Sequence, residues 1–339
     1  MDNRYSRQIL FPPIGKEGQA KLNNKHILVI GLGTLGAQSS EMFARAGVGR
    51  LTIVDRDYVE WSNLQRQPLY TEDDAKQQIP KAIAAKKRLE KINSEIDIIS
   101  HIVDVTPEEI EWLVKDVDII IDATDNFDIR MMINDISQKK QIPWIFGSCV
   151  GSYGMSLTII PRKTSCLHCL IEKIPIGGQT CDTAGIIMPA ASRVVTHQVT
   201  EALKILTNND EELLGKLLSF DLWSNEEVKM NVSALKKSIC PSCSPQATYP
   251  FLQMEQQTKS AVLCGRESVQ IRPAQKQDRN LTDLAEQLKK TSGKVEQNPY
   301  LLSYTVDKHR LVIFKDGRAI VHGTKDIEKA RTLYYRYFG

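Results

Sequence analysis

His26-Ile27-Leu28-Val29-Ile30-Gly31-Leu32-Gly33-Thr34-Leu35-Gly36 is the stretch on which the fold turns. His26 to Ile30 has the length and apolar content of a buried strand. Three glycines at the dinucleotide-binding spacing follow at once. Residues 37–46 then read as a helix, and Gly47 supplies a helix stop. Leu51 to Asp55 reads as the next buried strand. Strand, glycine turn, helix and strand in about 30 residues open a parallel α/β sheet.

The alternation continues outward. Residues 81–92 read as a helix, 97–105 as a strand and 107–114 as a short helix. Residues 117–122 follow as a strand, 129–140 as a helix and 143–148 as a strand. Residues 155–160 read as a further strand at an antiparallel end. Residues 189–206 form one long helix, and 217–222 and 227–232 two more strands. Composition shifts near residue 246, and Gln253 to Lys259 reads as a polar linker. Beyond it a small α+β module is expected, with helices over 281–290 and 327–337. Between those helices, Lys315-Asp316-Gly317-Arg318 turns a β-hairpin. The fold class expected is α/β: a Rossmann-like, mostly parallel sheet with a zinc-bound C-terminal half, plus the small module. The domain bounds expected are 1–247 and 248–339.

Composition removes other classes. The 339 residues are 42% hydrophobic and 25% charged, which suits globular domains, two or three at this length. Basic residues number 44 and acidic ones 41. That balance argues against a nucleic-acid or membrane-surface partner. No apolar run is long enough to span a bilayer, and the first residues have no secretory pattern. Seven cysteines, an odd count in a large chain, point to reduced thiols and a cytoplasmic protein.

Gly31, Gly33 and Gly36 permit a tight turn and close approach of backbone to phosphate, and the helix start offers N–H groups to an anion. Asp55 stands where an acid accepts ribose hydroxyls. This motif alone fits NAD and ATP equally. Ser62-Asn63-Leu64-Gln65-Arg66-Gln67 and then Lys81 favour ATP, because a triphosphate calls for cations and hydride transfer does not. The bland alternative makes Arg66 and Lys81 solvated surface charges. Asp125 closes a strand at the ligand-binding edge of the sheet, where a carboxylate beside phosphates suits Mg²⁺. Asn126 fits a helix N-cap, a metal-site neighbour, or both.

Cys166-Leu167-His168-Cys169 and Cys240-Pro241-Ser242-Cys243 are two C-x-x-C pairs. Together they offer four thiolates to one tetrahedral ion, zinc before an iron–sulfur cluster. The bland alternative is two unrelated thiol pairs. His168 reads as a bystander and Cys149 as a core thiol. Cys181, in a polar segment, is a possible acyl-transfer nucleophile with no base identifiable beside it.

These motifs in this order, with Arg4-Tyr5-Ser6-Arg7-Gln8 before them, resemble the MoeB/ThiF adenylyltransferases, relatives of the ubiquitin-activating enzymes. The resemblance covers about residues 1–247. It implies adenylation, with ATP and Mg²⁺, of the Gly-Gly carboxylate of a small ubiquitin-like sulfur carrier. A MoaD-type carrier, serving molybdopterin, is the first expectation and a ThiS-type carrier, serving thiazole, the alternative. It implies nucleotide contacts by Gly31, Gly33, Thr34, Gly36, Asp55, Asp57, Asn63, Gln65, Arg66, Lys81, Asp125 and Asn126. Catalytic roles fall to Arg66, Lys81, Asp125 and Arg7, the last reaching into the neighbouring subunit of a homodimer. A sulfur donor, a cysteine desulfurase or a rhodanese, is implied as a later partner. Two departures stand out: Thr34 replaces the glycine of several relatives, and the tail after residue 253 is absent from compact members. The tail reads as an accessory docking module. The rivals from other classes are an NAD-dependent oxidoreductase and a zinc-stabilised scaffold without chemistry.

Overall fold

A computed structural model describes residues 3–171, 184–253, 260–262, 267–273 and 278–338. Cys181 and most of the expected linker lie outside the described residues, as does Cys264. The chain divides into two units, Met1–Met254 and Glu255–Gly339.

The first unit is built on an eight-stranded sheet of order β3-β2-β1-β4-β5-β6-β7-β8. Its strands are β1 His26–Ile30, β2 Arg50–Val54, β3 Asp97–His101, β4 Ile119–Asp122, β5 Trp144–Val150, β6 Tyr153–Ile159, β7 Leu217–Asp221 and β8 Glu226–Met230. The first five run parallel, and the last three continue antiparallel. Helices cover both faces, so the central strands β1 and β4 are buried along their whole length instead of alternating. In β1, Ile27 and Val29 pack under the helices Thr34–Ala46, Lys81–Ile92 and Met188–Leu206. Leu28 and Ile30 pack on the opposite side with Pro107–Leu113 and Phe127–Lys140.

Strand β3 is shorter than the expected 97–105. Its neighbour β2 ends at Val54, opposite His101, so residues beyond have no ladder to join. The helix Thr34–Ala46 stops at Gly47, which has φ +78°. A β-carbon there would stand 2.5 Å from the Tyr5 ring, so the position excludes larger residues.

The second unit is an antiparallel sheet of six strands in the order β11-β12-β13-β14-β10-β9. They are β9 Ser260–Val262, β10 Ser268–Ile271, β11 Lys294–Gln297, β12 Leu301–Val306, β13 His309–Phe314 and β14 Ala319–His322. Helices Leu281–Leu288 and Ile327–Phe338 close one face over Val269, Leu302, Tyr304, Leu311, Ile313 and Val321. The expected hairpin joins β13 to β14, with Gly317 at φ +82°. No helix among the described residues is long and apolar enough to cross a membrane.

Candidate functional site

The site sits where β1 and β4 end side by side. Gly31 has φ +92°, and a β-carbon on it would stand 2.6 Å from the Ala123 carbonyl oxygen. The glycine loop therefore lies directly against the end of β4. A β-carbon on Gly36 would stand 1.8 Å from the Gly31 carbonyl oxygen, which seats the first helical turn on the loop. Gly33 differs. The one heavy atom within 4 Å of its β-carbon position is Gln67 Nε2, at 4.0 Å. Gly33 precedes the helix Thr34–Ala46, and no side chain caps that helix. Its first N–H groups, Thr34 among them, thus lack intrahelical partners.

Side chains from β2 and the segment after it fix the loop. The Leu32 N–H donates to Asp55 Oδ2 at 2.6 Å, and the Tyr70 hydroxyl donates to the Leu32 carbonyl at 2.7 Å. The other Asp55 oxygen accepts the Asp57 N–H at 2.7 Å. Burial pushes the Asp55 carboxyl above its ordinary range, and the Lys81 charge opposes that shift. Lys81, 5% exposed, begins the helix Lys81–Ile92 and lies 3.5 Å from Asp57 Oδ2. Its N–H donates to the Asp57 carbonyl at 2.9 Å. A buried ammonium here is held as a fixed charge, which answers the surface-charge alternative for Lys81. Arg66 is partly exposed and donates from Nη1 to the Ser62 carbonyl at 2.6 Å, on its own turn. Gln65 is exposed.

Asn63 is buried. Its Oδ1 accepts the Glu60 N–H at 3.0 Å, while its Nδ2 has no partner among the described residues. Asp125 is exposed at the end of β4, and Asn126 accepts the Ile129 N–H at 3.1 Å as helix N-cap. Beneath them lies a buried pair. Arg130 Nε donates to Asp122 Oδ2 at 3.1 Å, and its Nη2 reaches the carbonyls of Thr124 at 2.6 Å and Gly147 at 3.0 Å. Burial raises the Asp122 carboxyl to about 6 against the pull of Arg130.

Three members of this site carried no sequence expectation. Arg56, between Asp55 and Asp57, donates to Asp104 at 3.3 Å. Burial works against its charge, but Asp104, Asp125, Asp57 and Asp55 outweigh burial and hold the guanidinium above its ordinary range. Its place between two acids was a local signal. Tyr70 and Arg130 had none, because their partners arrive through the fold. Arg7 is the expected residue that this chain does not bring to the loop. It lies exposed on Ser6–Ile9, beside Gln8, whose Nε2 donates to the Ala46 carbonyl at 2.9 Å. Ala46 ends the 13-residue helix that starts at Thr34, about 20 Å from the glycine loop.

The four cysteines converge at the other end of the unit. Cys166 Sγ is 3.6 Å from Cys240 Sγ and 3.8 Å from Cys169 Sγ, and Cys169 Sγ is 3.6 Å from Cys243 Sγ. A tetrahedral zinc with bonds of about 2.3 Å sets sulfurs about 3.8 Å apart. The donor set fits one such ion, and an iron–sulfur cluster, with several irons, spreads its thiolates wider. The N–H groups of Lys237 and Ser242 point at Cys169 and Cys240. His168 Nδ1 engages Ser242 Oγ at 2.8 Å, consistent with a bystander.

The sequence profile of the ThiF family matches residues 5–242. The chain belongs to the ThiF family. The matched span holds the glycine loop, Asp55, residues 62–67, Lys81, Asp125 and three of the four cysteines. Among ThiF-family relatives, the sulfur carrier protein ThiS adenylyltransferase of Bacillus subtilis is 52% identical over 339 residues, covering 100% of both chains. The Escherichia coli protein of that name is 35% identical over 241 residues, 71% of this chain and 94% of its own. The crystal structure of E. coli MccB with ATP superposes with a TM-score of 0.63 at 23% identity. That superposition covers 72% of this chain and 74% of MccB, a likeness of fold. This ThiF-family chain is an adenylyltransferase, and the oxidoreductase and scaffold readings are set aside.

Proposed function

We propose that the chain uses ATP to adenylate the C-terminal carboxylate of a ThiS-type sulfur carrier. The observation that carries this reading is the 52% identity along the whole chain with a relative named for that reaction. The E. coli relative bearing the same name supports it. The MoaD-type carrier expected first is therefore replaced by its alternative.

The geometry suits the chemistry. The N–H groups that start the uncapped helix Thr34–Ala46 would meet a phosphate lying over Gly33, and Asp55 would offer a carboxylate to the ribose. The buried Lys81, with Arg66 and Asn63, supplies donors along the phosphate chain. Preorganised donors of this kind stabilise charge that develops in the transition state. The carrier carboxylate attacks the α-phosphorus, the bond to the bridging oxygen breaks, and pyrophosphate leaves with its electron pair. Mg²⁺ on Asp125 and phosphate oxygens would neutralise the leaving charge. Zinc on Cys166, Cys169, Cys240 and Cys243 would tie the segment after β6 to the segment after β8. Arg7 acts in this reading from the neighbouring subunit of a homodimer. A separate sulfur donor then converts the acyl-adenylate, and Cys181 serves at most in that later step.

The test is ATP–pyrophosphate exchange with purified ThiS-type and MoaD-type carriers. Exchange at least about tenfold faster with the ThiS-type carrier is expected. Faster exchange with the MoaD-type carrier, or none with either, would overturn the reading.

A further inference from the structure

Gln67 ends the 62–67 motif and carries no charge. It is 3% exposed. Its N–H donates to the Asn63 carbonyl at 3.0 Å, and its carbonyl accepts from Tyr70 at 3.3 Å. That backbone turn folds Asn63, Gln67 and Tyr70 toward the glycine loop, where Tyr70 already grips Leu32. The Gln67 amide lies against Gly33, the loop glycine that protein atoms do not crowd. Its Oε1 is buried without a partner among the described residues. A glutamine kept inside for structure is ordinarily hydrogen-bonded. The end of this amide that lies 4.0 Å from the position of a Gly33 β-carbon is Nε2, a donor, whereas the orphan Oε1 is an acceptor and is not the atom a phosphate would engage.

We propose that Gln67 contacts the nucleotide directly, donating from Nε2 to a phosphate oxygen over Gly33. The inference rests on the adenylation reading and adds to it a residue outside the charged clamp. A phosphate oxygen accepts and never donates, so it matches an amide N–H and the helical N–H groups together. Gln67 adds a neutral donor to a site whose other donors, Lys81 and Arg66, are cations. Neutrality makes the contact sensitive to charge: a carboxylate of the same shape would face the phosphate with repulsion.

The experiment compares wild type, Gln67→Glu and Gln67→Met by calorimetric titration with ATP and with adenosine at pH 8. A lost hydrogen bond to a charged group weakens binding about tenfold or more. Gln67→Met is expected to bind ATP about tenfold more weakly and Gln67→Glu about a hundredfold. Adenosine, which has no phosphate, should bind all three alike. ATP binding by Gln67→Glu within about threefold of wild type overturns the proposal. Equal loss for ATP and adenosine overturns it too, because that pattern marks a structural glutamine. If Gln67→Glu does not fold, Gln67→Met carries the comparison. Failure of both to fold assigns the residue to the core and ends the proposal. Pyrophosphate exchange by wild type with the ThiS-type carrier, run alongside, keeps the two readings apart. Its absence counts against the proposed reaction, whereas intact exchange with an unselective Gln67→Glu counts against Gln67 alone.

Discussion

Gly33 and Gly36 belong to one motif, but they meet opposite surroundings. A methyl on Gly36 would collide with the Gly31 carbonyl at 1.8 Å, and backbone cannot step aside as a side-chain tip can. A methyl on Gly33 would meet only the end of Gln67 at 4.0 Å. Gly36→Ala is therefore expected to lower stability by about 3 kcal/mol, as overpacking does. Gly33→Ala should leave stability within about 1 kcal/mol of wild type. It should instead raise the KM for ATP, because the methyl fills the space where phosphate approaches. Thermal melts and exchange kinetics on both variants check this; a stable, fully active Gly36→Ala would refute the packing argument. The spacing of the glycines was plain in the sequence. Which of them protein atoms crowd and which they leave open was not, because the answer depends in part on Ala123, just past the end of β4 and 92 residues beyond Gly31. Arg130 was opaque for the same reason: it donates to Asp122 and to the Gly147 carbonyl, which the fold brings to it.

The N-terminal elements bear on the proposal that Arg7 acts in another subunit's site. Tyr5 packs over Gly47, its hydroxyl accepts from Asn93 Nδ2 at 2.8 Å, and Gln8 holds the Ala46 carbonyl. These contacts tie the segment to the far end of the helix Thr34–Ala46, and an arginine side chain is much shorter than that helix. Mixing Arg7→Ala chains with Asp125→Asn chains should therefore restore exchange in the mixed dimers. One site in each mixed dimer then has both residues intact. Mixed dimers that form and stay inactive would exclude action across the interface. The cysteine pairs are a second case at this scale. The first follows β6 and the second follows β8, and Asn134 and Asp135 of the helix Phe127–Lys140 lie beside them. Asn134 on that helix accepts the Leu167 N–H at 2.8 Å. Cys169→Ser should lower bound zinc and melting temperature together, since metal binding contributes folding free energy. A metal-free chain that melts like wild type would count against the four-thiolate site. The pairs were legible because two C-x-x-C motifs signal a metal site wherever the fold places them. Strands such as Lys294–Gln297 were not, because an edge strand with exposed polar residues lacks the alternation that marks a half-buried one.

For the molecule as a whole, the two units pose the question of what adenylation requires. The first unit has its own apolar clusters on both faces of its sheet, the glycine loop and all four cysteines. The family profile ends at residue 242, and the E. coli relative matches 94% of its own length against 71% of this chain. Adenylation should therefore survive removal of the second unit. Where the cut falls matters. The short helix Pro250–Gln253 belongs to the first unit: the Phe251 N–H donates to Asp135 Oδ2 at 2.9 Å, and Phe251 and Leu252 pack on the core beside Phe127–Lys140. Asp135 is fully buried, and burial pushes its carboxyl above the ordinary range, against the opposing hydrogen bonds from Ser242 and Phe251. A chain ending at residue 246 loses the Phe251 hydrogen bond and that apolar cover. The expected loss is about 2 to 4 kcal/mol, from one bond to a charged group and two truncated contacts. A chain ending at residue 253 keeps both and should melt close to the first transition of the full chain. It should also retain carrier-dependent pyrophosphate exchange within about threefold, well under the tenfold that loss of one bond to a charged group brings. Melting curves and exchange rates for the two truncations test the argument together. If the 253-residue chain folds but exchanges no pyrophosphate, the second unit takes part in adenylation and is no mere accessory. If the two truncations melt alike, the helix Pro250–Gln253 does not belong to the first unit's stability.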